Sequence, residues 1–285
     1  MSVISHESPP EAPPKPPGRG AIVAAGLVLL LIAGGVIAWV MVTRVMPGQL
    51  DFHSSSDQTA GAKLQVNAPD AAILLVPGSD GTVHVVGKGR YLYHSPTVTA
   101  ATSGDTTTVT AGCPAHESRC QVFVTISVPA AMPVRVDADL GSIDASGLDG
   151  TLDLNSNEGS IEVLNPIGAV SARSGNGSVS VTGARSPQVT AHSTNGSITM
   201  VDSRSPLVTA ESVNGKISAN FLDAPTMVTV SSVNGSVDVY VPGTATYRVT
   251  THTVTSSDKV KVPTSDTSPH VINASSTNGS VQVFS

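Results

Sequence analysis

Apolar and polar residues alternate through the second half of the chain in a pattern that returns on a longer period. Aligned on one glycine, the segments read Leu140-Gly141-Ser142-Ile143, Glu158-Gly159-Ser160-Ile161, Asn176-Gly177-Ser178-Val179, Asn195-Gly196-Ser197-Ile198, Asn214-Gly215-Lys216-Ile217, Asn234-Gly235-Ser236-Val237 and Asn278-Gly279-Ser280-Val281. Two and four residues after the glycine the side chains are apolar, as in Ile143 and Ala145, Ile198 and Met200, or Val237 and Val239. Polar residues such as Asp144, Glu162 and Thr199 stand between them. Seven and five residues before the glycine the same holds, as in Val134 and Val136 or Val208 and Ala210. Three before it, six copies carry serine: Ser156, Ser174, Ser193, Ser212, Ser232 and Ser276. Apolar-polar-apolar alternation marks a half-buried strand, so each copy predicts strand, turn, strand. Asn and Gly tolerate positive φ, which a tight reversal or corner needs.

The glycines are spaced by 18, 18, 19, 19, 20 and then 44 residues. The last interval predicts one worn copy, centred on Ser257-Asp258-Lys259-Val260. A fixed period is the signature of a repeat architecture. One copy buries about four aliphatic side chains at roughly 1.5–3 kcal/mol each, which does not offset ordering about 19 residues at roughly 1–2 kcal/mol each. The copies must therefore stack. The expected fold is all-β, a β-solenoid with coils of about 19 residues. The alternative is a stack of antiparallel hairpins in which Asn-Gly forms the hairpin turn. The tight spacing favours the solenoid.

Upstream, Ile73-Leu74-Leu75-Val76, Thr82-Val83-His84-Val85-Val86 and Val122-Phe123-Val124-Thr125-Ile126-Ser127-Val128 also read as strands. Residues 63–133 are expected to cap the stack and residues 134–285 to form the repeats, together one β-repeat domain over 63–285. Residues 44–62 read as a stalk. Ala21 to Thr43 carry no charge, a run of about 34 Å as helix and long enough to cross a membrane. Its exit, Trp39-Val40-Met41-Val42-Thr43, has no small-x-small cleavage pattern and no lipobox cysteine, so an uncleaved signal anchor is expected. Lys15, Arg19 and the amino terminus against Arg44 place the N-terminus in the cytoplasm and the β-repeat domain outside, at the plasma membrane. Residues 1–20 hold Pro9-Pro10, Pro13-Pro14 and Pro16-Pro17 and read as a disordered cytoplasmic tail.

Beyond Arg44 the chain has 12 Lys and Arg against 19 Asp and Glu, a net of −7. With no basic stripe, nucleic acid is not the expected partner. Cys113 and Cys120 bracket Pro114-Ala115-His116-Glu117-Ser118-Arg119, and outside the cytoplasm a disulfide is the expectation. A metal site on Cys113, His116 and Cys120 would lack a fourth ligand and a familiar zinc spacing. No cofactor or metal is implied. For catalysis, the polar columns place Asp144 beside Glu162 and Arg135 beside Asp153 in adjacent copies. Clustered acids can cleave glycosides, yet alternation alone puts polar residues there. No nucleophile elbow or phosphate loop is present. Asn176, Asn195, Asn234, Asn273 and Asn278 open Asn-x-Ser sequons, which the recurring turn chemistry explains without glycosylation.

The run Ile126-Ser127-Val128-Pro129, followed by Leu140-Gly141-Ser142-Ile143 and the Gly-Ser-Ile/Val series, resembles the bacterial "putative adhesin" family of unknown function over about residues 63–285. The Cys113–Cys120 insertion is similar to that of its membrane-anchored, actinobacterial-type members. The resemblance implies a solenoid-like β fold at the cell envelope and supplies no catalytic residues. The expected function is a non-catalytic, membrane-anchored surface protein presenting a β-solenoid for adhesion, interaction or scaffolding, with an envelope protein or cell-wall polymer as partner. The alternatives are an accessory to envelope-stress signalling and a polysaccharide-active β-helix enzyme.

Overall fold

The computed structural model describes residues 49–115 and 119–285. The apolar run 21–43 and the proline-rich tail lie outside the described residues. The first strands are β1 (Leu50–Thr59), β2 (Lys63–Ala68), β3 (Ala71–Gly78), β4 (Thr82–Tyr91), β5 (Thr97–Ser103), β6 (Thr106–Gly112) and β7 (Gln121–Pro129). The repeats supply β8 (Val134–Ala138), β9 (Ile143–Ser146), β10 (Leu152–Ser156), β11 (Ile161–Leu164), β12 (Val170–Ser174), β13 (Val179–Thr182), β14 (Gln188–Ser193), β15 (Ile198–Ser203), β16 (Leu207–Ser212), β17 (Ile217–Phe221), β18 (Met227–Ser232) and β19 (Val237–Tyr240). The chain ends with β20 (Arg248–Thr253), β21 (Asp258–Lys261), β22 (Val271–Ser276) and β23 (Val281–Phe284).

These strands form two sheets. The first runs β1-β4-β7-β3-β9-β11-β13-β15-β17-β19-β23-β21, the second β20-β22-β18-β16-β14-β12-β10-β8-β2-β6-β5. The two strands of one repeat copy never pair with each other. Instead β8 pairs in parallel with β10, and β9 with β11, so that Val134 lies opposite Leu152 and Ile143 opposite Ile161. A hairpin would need antiparallel pairing across the Asn-Gly corner. Parallel pairing between successive copies is the solenoid arrangement, one copy per coil. The inward columns close one continuous core in which Ile143, Leu154, Ile161, Ile198, Val228 and Val281 are each at most 1% exposed.

Stacking order and chain order part company at both ends. Strands β2 and β3 form the first coil of the chain, yet β6 and β7 pair on their outer edges while β8 and β9 take their inner edges. At the far end β22 and β23, last in the chain, slot between β18/β19 and β20/β21. The worn copy is therefore the terminal coil. Its register differs by two residues from the sequence expectation, since Asp258 stands opposite Val281 and Val260 opposite Val283. A two-residue slip leaves every side chain on its original face, so alternation could not detect it. The inward positions of this coil include Thr251, Thr253 and Asp258, and Val260 is 39% exposed. A terminal coil with water on one side suits polar residues, and lysines on its edge strand (Lys259, Lys261) discourage further pairing.

The stalk expectation for 44–62 is corrected over residues 50–59. They form β1, which runs antiparallel to β4 at the edge of the first sheet. Leu50-Asp51-Phe52-His53-Ser54-Ser55-Ser56-Asp57-Gln58-Thr59 shows too few apolar residues to read as a strand, because an edge strand has half of its surface in water. Only Phe52 packs against the core.

Candidate functional site

The corner that recurs through the Gly-Ser-Ile/Val copies is built from three positions, and each has a stacking role. None of the seven repeat glycines lies in the left-handed region; among the described glycines that conformation occurs at Gly104, Gly147 and Gly183. The expectation of positive φ at the Asn-Gly corner is thus corrected. Instead each glycine lies against the backbone of the coil before it. A Cβ on Gly196 would stand 2.1 Å from the carbonyl oxygen of Gly177. The same contact recurs at Gly141, Gly159, Gly177, Gly215, Gly235 and Gly279, so the glycine is required by close approach.

The serine three residues earlier closes the same corner. Ser174 Oγ donates to the carbonyl of Gly159 at 2.9 Å and accepts the N–H of Gly177 at 2.8 Å. Ser156, Ser193, Ser212, Ser232 and Ser276 donate in the same way to the glycine carbonyl of the neighbouring coil. A hydroxyl is therefore affordable on an inward-facing column, since a buried polar group costs little once it is paired. The asparagine before the glycine forms a ladder on the outside. Asn195, Asn214, Asn234 and Asn278 each donate from Nδ2 to Oδ1 of the asparagine one coil back, all at 2.7 Å. Lys216, the one non-serine after a repeat glycine, pairs with the nearly buried Asp238 at 2.6 Å.

The two polar pairs weighed as catalytic have different fates. Arg135 bonds Asp153 at 2.6 Å and also Asp137, while Arg173 approaches Asp153 from the other side, and Asn155 donates to Asp137. These groups hold one another on the outer face of the second sheet. Asp144 and Glu162 are register partners on the outer face of the first sheet, with Leu74 on the other side of Asp144. Burial, helped by the Glu162 charge, pushes the Asp144 carboxyl up to about 6.

A folded-state pKa above the ordinary carboxylate value means that ionised Asp144 opposes folding. That cost is present above pH 6 and disappears as pH falls toward 4, where the folded state takes up the proton first. Asp144→Asn should accordingly raise stability at pH 7.5 by about 1–2 kcal/mol, after discounting for solvent around a partly exposed group. The gain should shrink at pH 4. Urea melts at the two pH values check this, and an equal gain at both would remove the charge explanation.

Further out on the first sheet, His84 bridges two carboxylates, with Nδ1 2.8 Å from Asp57 of β1 and Nε2 2.9 Å from Asp80. The bond to Asp57, then that to Asp80, raises its pKa. This staple ties β1 to β4 and is fully formed only while His84 is protonated. Tyr240 and Phe284, expected in one column, stack at 5.7 Å between β19 and β23. Cys113 and Cys120 form a disulfide with Cα atoms 5.8 Å apart, at the outer coil. His116 lies outside the described residues. Among the described residues no group of three or more His, Cys, Asp or Glu side chains is placed to hold a metal ion.

One concave feature of the surface is a groove of about 560 Å³ on the second sheet, crossing β2, β8, β10, β12 and β14. Asp137, Asn155, Arg173 and His192 line one side, and Asp139, Asn157, Gly175 and Thr194 the side toward the corner. Asp144 and Glu162 belong to the other sheet and lie outside it. Sequence reasoning missed this groove, because it placed the polar columns on a face without giving that face a shape.

The whole β-repeat region, residues 62–284, matches one family model, that of Toastrack DUF4097. The chain belongs to the Toastrack DUF4097 family. Solved structures similar to this Toastrack chain include a "putative adhesin" from Bacteroides fragilis, at 12% identity over 81% of this chain and 97% of that one, with a TM-score of 0.47. Two more come from Parabacteroides distasonis. One is described as a "putative lipid binding protein", at 9% identity, 82% and 97% coverage and a TM-score of 0.49. The other is a "putative adhesin", at 15% identity, 81% and 97% coverage and a TM-score of 0.41. No curated protein matches the Toastrack chain.

Proposed function

We propose that this Toastrack protein is a non-catalytic, membrane-anchored cell-surface or envelope protein that presents its solenoid for adhesion, interaction or scaffolding. The observation that carries the reading is where the recurring polar groups are used. The serine hydroxyls, the asparagine amides and the Arg135–Asp153–Arg173 cluster are bonded to neighbouring coils. What repeats through the chain builds a long, rigid scaffold. The membrane anchor and the outward orientation rest on the charge-free run Ala21 to Thr43 and its flanking charges. The Cys113–Cys120 disulfide suits an oxidising compartment, and its insertion resembles that of membrane-anchored, actinobacterial-type members.

The test is a pull-down with residues 46–285 against fractionated envelope, separated into wall polymer, lipid and membrane proteins. Saturable retention by one fraction, lost after outer-face substitutions in the repeats, is the expected result. Retention by none would sink the binding role and turn attention to the segment before Leu50.

A further inference from the structure

We infer that the groove across β2, β8, β10, β12 and β14 binds a linear, hydroxyl-rich glycan laid along the stacking axis. This deepens the surface-binding role proposed above and rests on it. The first support is the direction of the groove. It crosses five neighbouring strands, which lie about 4.7–4.9 Å apart, so it extends about 20 Å along the axis. Each coil adds one residue to each wall at that interval, a side chain everywhere but at Gly175, and the interval is close to the advance of one pyranose ring in an extended chain. A polymer can thus repeat its contacts coil by coil.

The second support is the state of the side chains. On one wall Asp137, Asn155 and Arg173 are fixed in place by the network with Arg135 and Asp153. Asn67, Asp139, Asn157 and Thr194 are different: none has a side-chain hydrogen bond among the described residues. The groove therefore offers free amide, hydroxyl and carboxylate groups beside a rigid wall, which suits neutral hydroxyls that both donate and accept. The other polymer classes fit less well. A peptide adding as a strand needs a sheet edge with free backbone groups, and this groove lies over the middle of a sheet. A polyanion would meet Asp137 and Asp139 on a part of the chain that is net negative. An acyl chain would find no large apolar side chain in the lining.

With no aromatic ring to stack on, each sugar contributes little and affinity must accumulate with length. The experiment is calorimetric titration of the full chain with β-1,4-linked glucose and N-acetylglucosamine hexasaccharides and with the matching disaccharides. One hexasaccharide should bind saturably, at least tenfold more tightly than its disaccharide. The double variant Asp139→Ala, Asn157→Ala should weaken it fivefold or more while its melting curve stays unchanged. Thr229→Ala, on the same sheet beyond the groove, should bind as the parent chain does. Absence of binding by both hexasaccharides, or binding that the double variant leaves intact, would overturn the inference. If envelope retention persisted in that event, the surface-binding role would survive and only the glycan groove would fall.

Discussion

Gly196→Ala is expected to destabilise the solenoid by about 3–5 kcal/mol, far beyond the usual cost of a surface methyl group. The added Cβ would stand 2.1 Å from the Gly177 carbonyl oxygen and 2.5 Å from its carbon, both backbone atoms. That carbonyl is held by Ser193 Oγ at 2.9 Å, and the coil behind it by the same bonds again. No flexible side chain is available to give way, so the coils must separate at the corner. Gly196→Asn separates the two explanations for the glycine. Asparagine tolerates positive φ, so a conformational requirement would spare it, whereas close approach makes it as damaging as alanine. Gly81→Ala is the control, because its Cβ would meet nothing within 4 Å and should shift stability by less than about 0.5 kcal/mol. Urea denaturation of the three variants decides. A tolerated Gly196→Ala would mean that the corner relaxes and that the glycine column is not the spacer of the stack.

The second large effect is expected at the core columns. Ile198→Asp and Val208→Asp place a carboxylate at positions 0% and 3% exposed, in the middle of the stack and without a cation in the core. An unpaired charge there costs about 4 kcal/mol or more. A coil in a solenoid is stabilised only through its two neighbours, so the lesion also removes support from β13 and β17, or from β14 and β18. Thermal melting should fall steeply, or folding should fail. Thr209→Asp, one residue from Val208 but on the outer face between Thr190 and Thr229, should be nearly silent. Equal effects at 208 and 209 would show that the register is wrong.

Much of this molecule was legible before any coordinates. Period-two alternation identified the inward columns, and the strands of the repeat core follow it, because burying one face of a strand forces that pattern; the exception is β15, where the register shifts between Met200 and Ser203. The length of the period pointed to stacked coils. The serine column was visible as a regularity, but its reason was not. A hydroxyl among valines makes sense only when the carbonyl it bonds is known, and that carbonyl lies 15 to 17 residues away, or 41 for Ser276. The asparagines were misassigned for the same reason. Asn-Gly is also a common hairpin turn, and a local signal cannot report a partner in the next coil.

The candidate site was less legible. Asp137, Asn155, Arg173 and His192 of the groove stood on one polar column, and Arg135 was correctly aligned with Asp153. The hollow itself depends on how the corner stands against the sheet, which no spacing records.

The sequence by itself determined which residues face inward, how many coils repeat and where the charge-free run lies, because those follow from side-chain period and hydropathy along one chain. The tertiary structure alone decided the order of the coils at the two ends, the two-residue register of the terminal coil and the shape of the polar groove. Each of these depends on which strand edge lies beside which. A strand offers the same backbone donors and acceptors to any neighbour, so pairing between segments of like pattern is settled by packing the whole stack.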